Sequence, residues 1–260
     1  MAEYLSIYLT GLVILLAFMS VLWIASVMLT NASIVDPFWG LSFVIVVWFY
    51  FARTPDGDAL RNSLLTALVT LWGLRLTLYL LWRNWGHGED FRYQAFRRKY
   101  GPDRYWWISF FQTFMLQGVL VWIISSSLLG AQVQGGGLNI LDYLGISIWI
   151  IGITFEAGSD FQLARFKGDP DNQGKLLQTG FWRYTRHPNY FGDAACWWGF
   201  GLMSIAAGGY LAALGAVVMT VLIIRVSGVA LLEKSLTRDK PGYDAFARRT
   251  SAFIPLPPRK

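Results

Sequence analysis

Residues 4–30 form an apolar run without a single aspartate, glutamate, lysine or arginine. A run of this length is typical of a transmembrane helix, because about 20 apolar residues cross the hydrocarbon core of a bilayer. It is too long for a signal peptide and follows no charged leader, so we interpret it as the first membrane span. In lipid, backbone polar groups must pair within their own segment, and the span is therefore expected to be a helix.

Similar runs continue along the chain, of which 55% of the residues are hydrophobic and only 15% are charged. We find no internal repeat, low-complexity tract or linker. The sequence predicts an all-α integral membrane protein, a seven-helix bundle that forms a single membrane domain over residues 1–260. The predicted spans cover about 5–30, 38–52, 62–82, 107–130, 138–156, 191–207 and 209–232.

The basic residues are concentrated in three regions. Of 22 lysines and arginines, six lie in 83–106, five in 157–190 and seven in 233–260. With seven spans these regions all fall on one side of the membrane, and the positive-inside rule makes that side cytoplasmic. The N-terminus is then outside and the C-terminus cytoplasmic. No nucleic-acid-binding motif accompanies the basic residues, so we expect no nucleic-acid partner.

Several kinds of site are excluded by what the sequence lacks. The single cysteine, Cys196, excludes an intramolecular disulfide and a cysteine-based zinc site. The two histidines, His87 and His187, show no metal-ligand spacing, so no metal is expected. The glycine-rich dinucleotide fingerprint and the P-loop of soluble folds are also missing. Polar residues near the span ends are therefore the functional candidates, since a charge inside a bilayer costs roughly 2.5–3.5 kcal/mol.

The first candidate is Asp36 in the stretch NASIVDPFWG, residues 31–40. It precedes Pro37, and proline favours the first position of a helix that starts after a break. Asp36 is either a cap or turn residue with a solvated carboxylate, or it lies at the rim of a substrate cavity and binds a polar group of an apolar ligand.

The second candidate lies in the third span, where Arg75, Tyr79 and Arg83 follow at i, i+4 and i+8 and share one helix face. Arg75 either faces a ligand or is a structural arginine that snorkels to the interface. The amphipathic stretch GHGEDFRYQAFRRKYG follows, and its arginine run is typical of a surface that contacts headgroups. Four of its residues are also candidates to fold over a bound cofactor: Glu89, Asp90, Arg92 and Tyr93.

The third candidate is the acidic and basic set at the end of the predicted fifth span. Glu156 and Asp160 are spaced i, i+4, and Arg165 and Lys167 follow at once. This mixture fits a polar ligand that carries both hydrogen-bond donors and a phosphate. The alternative is an ordinary i, i+4 ladder at the membrane edge.

The fourth candidate is RYTRHPNYFGD, residues 183–193. Pro188 breaks the helix before the sixth span, so the preceding residues form irregular backbone that must be buried in protein or line a wet cavity. A helix start there offers N–H groups to an anion, and two arginines suit bidentate phosphate binding. The candidate residues are Arg183, Tyr184, Arg186, His187, Asn189, Tyr190 and Asp193, the last of which is expected in the first turn of the sixth span.

The fifth candidate is the C-terminal stretch from residue 228 onward. Glu233 and Lys234 leave the seventh span together, and Arg238 and Tyr243 follow. The apolar FIPLPP segment at the end is rigid, and we expect it to pack back on the helices.

These residues carry a family resemblance over nearly the whole chain. The pattern Gly-x-x-Arg-x-x-x-His-Pro-Asn-Tyr-x-Gly-Asp over 180–193, followed by an aromatic-rich span, resembles the C-terminal signature of membrane steroid 5-alpha-reductases and sterol C14/C7 reductases. The LWGLRL stretch of the third span, the GEDFRY stretch and the FIPLP tail resemble the bacterial branch near the steroid 5-alpha-reductases.

The resemblance implies a monomeric enzyme of the bacterial inner membrane that binds NADPH on the cytoplasmic side. Its apolar substrate is a steroid or sterol-like lipid, which enters the enzyme from among the membrane lipids of the bilayer. Hydride passes to C5 of a 3-oxo-Δ4 steroid and a proton is added at C4. The natural substrate is left open, because a bacterial homologue can reduce a different enone lipid.

The resemblance also implies roles for individual residues. In the family, a carboxylic acid on the second span and a tyrosine on the third hold the ketone. Here the nearest acid is Asp36, and the tyrosine position falls on Trp72, whose N–H can donate, with Tyr79 as the alternative. The implied cofactor-binding residues are Arg75, Glu156, Asp160, Arg165, Lys167, Trp182, Arg183, Tyr184, Arg186, His187, Asn189, Tyr190, Asp193, Glu233, Lys234, Arg238 and Tyr243.

Two other functions stay open. An Arg-His-Pro-x-Tyr stretch also occurs in isoprenylcysteine carboxyl methyltransferases and phospholipid methyltransferases, which use S-adenosylmethionine. They tend to be shorter and to carry Glu-Glu where this chain has Glu233-Lys234, and the Asn189 and Asp193 pairing favours a dinucleotide. The third possibility is a non-enzymatic lipid-binding or transport protein, although a transporter predicts pseudo-symmetric halves with paired broken helices.

Overall fold

The computed structural model describes residues 2–226 and 228–259, which are almost entirely helical. One isolated parallel bridge, between Thr185 and Ser251, is the β-structure seen in these residues. The chain divides into two compact units. Unit 1 comprises the described residues up to Leu138 together with Ala207–Ala212, and unit 2 comprises Asn139–Ala206 and the described residues from Ala213 onward.

Unit 1 contains six α-helices joined by short irregular segments. A 3-10 turn, Ala32–Val35, precedes α2, and a π-helical segment, Phe110–Met115, joins α5 to α6. The helices are α1 (Ala2–Met28), α2 (Phe38–Arg53), α3 (Ala59–Asn84), α4 (Phe91–Tyr100), α5 (Pro102–Ser109) and α6 (Leu116–Gln132).

Helices α2 and α3 approach closely because each has a glycine at the contact. A Cβ added at Gly40 would lie 2.5 Å from the carbonyl oxygen of Gly73, and one added at Gly73 would lie 2.7 Å from the carbonyl oxygen of Gly40. Small residues of this kind allow membrane helices to pack backbone against backbone. This contact fixes the register between the helix that follows Asp36 and the helix that carries Arg75.

Unit 2 contains five α-helices, with a 3-10 turn at Gly180–Arg183 and a π-helical segment at Leu222–Val226. The helices are α7 (Ile140–Gly168), α8 (Pro188–Ala206), α9 (Leu214–Val221), α10 (Val229–Asp239) and α11 (Tyr243–Arg249).

Helices α7 and α8 pack antiparallel along a line of glycines. A Cβ at Gly145 would lie 2.7 Å from the carbonyl oxygen of Gly199, and one at Gly152 would lie 2.7 Å from that of Gly192. The glycines recur every seven residues on both helices, which places them on one stripe of each. This pairing sets the C-terminal half of α7 beside the start of α8.

Five helices among the described residues are long and apolar enough to cross a membrane: Ala2–Met28, Ala32–Arg53, Ala59–Asn84, Pro102–Gln132 and Ile140–Gly168. They coincide with the first five predicted spans, and the prediction of an all-helical, multi-pass membrane protein agrees with them. Helix α8 and the shorter apolar helix Leu214–Val226 lie where the last two spans were predicted but are not among these five. The count of seven and the orientation of the termini stay predictions.

Helix α7 is longer than the fifth predicted span. The fifth span was expected to end near residue 156, but α7 continues to Gly168. The apolar pattern stops at Glu156, while the residues that follow include good helix formers such as Gln162, Leu163 and Ala164. Glu156, Asp160, Arg165 and Lys167 therefore all lie on the helix itself.

Candidate functional site

Polar residues that the sequence singled out gather in both units. In unit 2 the backbone before α8 is irregular, as the sequence predicted: the 3-10 turn at 180–183 ends at Tyr184, and α8 begins at Pro188. Gly180 has a φ of +60°, a left-handed conformation that favours glycine. This segment is tied to α7, since the Phe181 N–H donates to Gln162 Oε1 at 3.1 Å and Trp182 Nε1 donates to the Ser159 carbonyl at 3.1 Å.

The centre of the unit 2 site is Glu233 on α10, which accepts hydrogen bonds from three side chains. We call Glu233 with Arg186, His187 and Tyr243 the Glu233 cluster. Arg186 binds both carboxylate oxygens, through Nε and Nη2 at 2.9 Å each. His187 Nε2 and the Tyr243 hydroxyl both lie 2.7 Å from Glu233 Oε1. A bidentate guanidinium–carboxylate pair of this kind is among the stronger side-chain interactions.

The cluster keeps Glu233 ionised. Burial acts to raise the pKa of its carboxyl, but the hydrogen bonds from His187, Arg186 and Tyr243 outweigh burial and bring the pKa down to about 2. Burial, followed by the hydrogen bond to Glu233, raises the pKa of the Tyr243 hydroxyl, which therefore stays a neutral donor. The Glu233 cluster is thus a charged network at neutral pH.

Most N–H groups of the Arg186 guanidinium donate to acceptors within the protein. Besides the two bonds to Glu233, its Nη1 donates to the carbonyls of Ala247 and Thr250 at 2.7 Å each. A guanidinium has five N–H groups, so one is left for any other acceptor. We expected Arg186 to meet phosphate; in the structure its side chain links α10 and α11 to the segment before α8.

The C-terminal tail is also part of this site. The Arg186 N–H donates to the Ser251 carbonyl at 2.9 Å, and the Leu256 N–H donates to the Tyr184 carbonyl at 3.0 Å. The Thr185 hydroxyl donates to the Ala252 carbonyl at 3.2 Å. The predicted packing of the FIPLPP tail is confirmed within unit 2, because this tail pairs with the segment that precedes α8.

A second polar pair in unit 2 links α7 to α8. Asn189 Nδ2 donates to Asp160 Oδ1 at 3.2 Å. Asp160 and Glu156 are only 5% and 3% exposed, so the i, i+4 spacing places both on the buried face of α7. An amide beside a buried carboxylate offers both a donor and an acceptor, which suits hydroxyl or carboxamide groups.

The remaining predicted cofactor residues of unit 2 are distributed around these pairs. Arg165 and Arg183 are exposed, and within residues 2–226 and 228–259 neither has a hydrogen-bonding partner for its side chain; Arg183 lies 6.0 Å from the ring centroid of Tyr184. Tyr190 stacks on His187 with ring centroids 5.7 Å apart. Asp193 lies in the second turn of α8 rather than the first. Lys167 and Arg238 are exposed, and the side chain of Lys234 lies outside the described part of the structure.

In unit 1 the candidate site is centred on Asp36, at the end of the 3-10 turn before α2. Its two carboxylate oxygens accept hydrogen bonds at 2.5 Å each, one from Arg92 Nη2 and one from the Tyr93 hydroxyl. We call these three residues the Asp36 cluster. The Asp36 side chain is 21% exposed, whereas Tyr93 is buried.

The GEDFRY stretch is held against this cluster by further bonds. The Ala32 N–H donates to Glu89 Oε1 at 2.8 Å, and the Asp90 N–H donates to the Ser33 hydroxyl at 3.1 Å. Burial, followed by the charge of Asp36, raises the pKa of the Tyr93 hydroxyl well above its usual range. Tyr93 is therefore a neutral hydrogen-bond donor beside a carboxyl group.

The residues predicted to accompany Asp36 lie elsewhere in unit 1. Trp72 is fully buried and packs edge to face on Phe43, with ring centroids 5.8 Å apart. Tyr79 lies between two guanidinium groups, 6.0 Å from that of Arg75 and 5.8 Å from that of Arg83. These contacts confirm the prediction that Arg75, Tyr79 and Arg83 share one face of α3. Neither Trp72 nor Tyr79 is a hydrogen-bond partner of Asp36.

Sequence reasoning missed Tyr93 as the phenol beside Asp36. It named Tyr93 only as part of a segment that could fold over a cofactor. The two positions are 57 apart in the sequence, a separation that carries no spacing signal. A sequence signal was nevertheless present: two polar stretches, NASIVDP and GEDFRY, flank membrane spans on the same predicted side.

The chain was also compared with known protein families, curated proteins and solved structures. The sequence model of a family described as "Protein of unknown function (DUF1295)" matches residues 22–250. A protein of Schizosaccharomyces pombe described as uncharacterized is 26% identical over 225 residues, an alignment that covers 77% of this chain. The chain spans 65% of the length of that relative. No solved structure matches.

Proposed function

Because the chain belongs to the DUF1295 family, which includes steroid 5-alpha-reductase-like proteins, we propose that it is an NADPH-dependent membrane reductase. The proposed reaction reduces the C4–C5 double bond of a 3-oxo-Δ4 steroid or a similar enone lipid. The proposed site faces the cytoplasm of a bacterial cell. One observation carries the proposal: in unit 2 the Asn189 amide binds the buried carboxylate of Asp160, and among the described residues the exposed guanidinium groups of Arg165 and Arg183 have no hydrogen-bonding partner.

The groups in unit 2 fit the chemistry of the dinucleotide. Phosphates require cations, and Arg165 and Arg183 are exposed guanidinium groups without hydrogen-bonding partners among the described residues. Ribose hydroxyls and a carboxamide require paired donors and acceptors, which Asp160 and Asn189 supply. Arg186 has little capacity left, so in this proposal it shapes the site rather than binding phosphate.

When bound, NADPH supplies a hydride to C5, and the chain's residues must hold the enone and stabilise charge on its oxygen. A hydrogen-bond donor aimed at that oxygen stabilises the charge, as the donors of an oxyanion hole do. In unit 1 the Tyr93 hydroxyl, which donates to Asp36 at 2.5 Å in the structure, would serve as this donor by turning to the substrate oxygen, while Arg92 stays paired with Asp36. We propose that the Asp36 cluster binds the carbonyl oxygen. Trp72 and Tyr79, the earlier candidates, are held by other contacts.

An S-adenosylmethionine-dependent methyltransferase is the second candidate. One observation favours it: Glu233 occupies the first position of the Glu-Glu pair of those enzymes and is held by the arginine and histidine of the Arg-His-Pro motif. Such an enzyme has a different cofactor, and cofactor affinity therefore distinguishes the two proposals directly.

The test is a fluorescence titration of the purified full chain with NADPH and, separately, with S-adenosylmethionine. We expect saturable binding of NADPH alone. Arg183→Ala should weaken it about tenfold, the value of one or two charge-assisted hydrogen bonds. Lys175→Ala, which removes an exposed cation from the loop between α7 and α8, should leave it unchanged. Binding of S-adenosylmethionine alone would reverse the assignment, and full NADPH affinity in Arg183→Ala would remove the phosphate role of that residue.

A further inference from the structure

The basic residues of α4 and α5, between 92 and 104, separate into two groups with different partners. Arg92 and Arg97 point into unit 1 and neutralise its carboxylates. Arg92 contacts Asp36 at 2.5 Å and Asp90 at 2.8 Å, and Arg97 contacts Glu89 through two nitrogens at 2.8 and 2.9 Å. These two arginines are therefore already compensated by charges of the protein.

The second group has no carboxylate partner within the described residues. Arg98, Lys99 and Arg104 are exposed. Lys99 makes a cation–π contact with the ring of Tyr100 at 5.1 Å, and no hydrogen bond or ion pair of Arg98 or Arg104 is seen in residues 2–226 and 228–259. Only Asp103 remains as an uncompensated acid in this stretch. The surface of α4 and α5 therefore carries an excess of positive charge.

Exposed aromatic side chains flank these cations. Trp106 and Trp107 on α5 are 50% and 46% exposed, Trp85 directly after α3 is 82% exposed and Phe91 on α4 is 60% exposed. Tryptophan is enriched where a bilayer meets water, because its ring is apolar and its N–H is polar. We call Arg98, Lys99 and Arg104 together with these aromatic residues the α4–α5 face.

The α4–α5 face is held rigidly on unit 1. The Arg97 guanidinium lies 4.9 Å from the ring centroid of Tyr105, which joins α4 to α5. Trp23 Nε1 on α1 donates to the carbonyl of Trp106 at 2.8 Å, which joins α5 to a membrane-crossing helix. The cations and tryptophans are therefore presented at a fixed position beside the apolar helices rather than on a mobile loop.

From this arrangement we propose that the α4–α5 face is a binding surface for the phosphate groups of anionic membrane lipids. Cations without a carboxylate partner complement lipid phosphates, and the flanking tryptophans match the depth of the headgroup region. Each lysine or arginine near an anionic leaflet is worth about fivefold in binding. Because Arg92 on α4 also holds Asp36, lipid bound to this face supports the position of the Asp36 cluster. The inference goes beyond the proposed reaction and stands if that reaction is wrong.

The experiment measures lipid preference with the full chain reconstituted in phosphatidylcholine nanodiscs that contain a small fraction of brominated phosphatidylglycerol. Quenching of tryptophan fluorescence reports brominated lipid near any of the 13 tryptophans, so the contribution of the α4–α5 face is the part that changes in variants of its cations. We expect brominated phosphatidylglycerol to be enriched at least tenfold over brominated phosphatidylcholine. The enrichment should fall in 1 M salt, where the Debye length drops to about 3 Å.

Variants locate the surface. The triple variant R98Q/K99Q/R104Q should lose the enrichment, whereas R53Q/K175Q/R259Q, which removes the same charge from exposed positions elsewhere, should keep it. The charge-conserving variant R98K/R104K should also keep it, which separates loss of charge from misfolding. Equal enrichment in the two triple variants, or no preference for phosphatidylglycerol in the unmodified protein, would overturn the proposal.

Discussion

Replacement of Glu233 by glutamine tests the Glu233 cluster with a minimal change of shape. The carboxylate accepts two hydrogen bonds from Arg186 and one each from His187 and Tyr243. Glutamine keeps one oxygen, but its N–H₂ group faces side chains that themselves donate hydrogen bonds. The guanidinium of Arg186, whose side chain is 11% exposed, also loses its counter-charge. The change therefore leaves a mostly buried cation unpaired.

Removing one partner of a fully buried ion pair costs about 3–5 kcal/mol. The Glu233 side chain is 24% exposed, so solvent screens part of the interaction. Arg186 also keeps its bonds to the carbonyls of Ala247 and Thr250. We therefore expect Glu233→Gln to lower the free energy of unfolding by about 2 kcal/mol.

The assay is reversible unfolding in mixed detergent micelles, with Glu3→Gln as the control, because Glu3 is an exposed glutamate with the same charge. The difference between Glu233→Gln and the unmodified protein should also depend on pH. The folded pKa of Glu233 is about 2 and the ordinary value is 4.5, so its contribution is complete above pH 4.5 and is lost as the pH falls toward 2. Equal stability of the two glutamine variants at neutral pH would refute this account of the cluster. A difference in unfolding free energy between Glu233→Gln and the unmodified protein that does not shrink in acid would refute it too.

The remaining predictions concern the Asp36 cluster and the α7–α8 contact. Tyr93→Phe should lower turnover about tenfold or more with NADPH affinity unchanged, whereas Tyr210→Phe, at an exposed position, should change neither; steady-state kinetics and cofactor titration measure both. Asp36→Asn should likewise lower turnover more than NADPH affinity, and the opposite pattern would remove Asp36 from the substrate site. Gly192→Ala should cost about 1–3 kcal/mol of unfolding free energy, because its Cβ would lie 2.5 Å from a backbone carbonyl of α7, while Gly88→Ala, with nothing within 4 Å, should be neutral.

The membrane helices were predictable because their signal is local. An uncharged apolar run has few alternatives in lipid, and the first five predicted spans coincide with long apolar helices. For the same reason, the fifth predicted span ends before helix α7 does. A hydropathy pattern ends at the first carboxylate, whereas a helix continues as long as its backbone bonds and its packing partner do, and α7 packs on α8 through Gly152.

The candidate site was predictable in part. The break at Pro188 and the location of polar residues before α8 follow from proline chemistry and are confirmed. The partners of those residues could not be predicted, because they come from distant parts of the chain. Arg186 finds Glu233 47 positions away, and Asp36 finds Tyr93 57 positions away. The motif therefore predicted where the polar side chains of this segment lie, and the fold shows which of them are bound to other residues of the chain.

Isotope transfer tests the proposed reaction most directly. The purified protein in a lipid bilayer is given a 3-oxo-Δ4 steroid and NADPH that carries deuterium at the transferable position of the nicotinamide. The account predicts a saturated ketone with one deuterium at C5, formed by the unmodified protein and by Lys175→Ala but strongly reduced in Tyr93→Phe. No deuterium in the product, or transfer of a methyl group from S-adenosylmethionine to an added isoprenylcysteine or phospholipid instead, would contradict it.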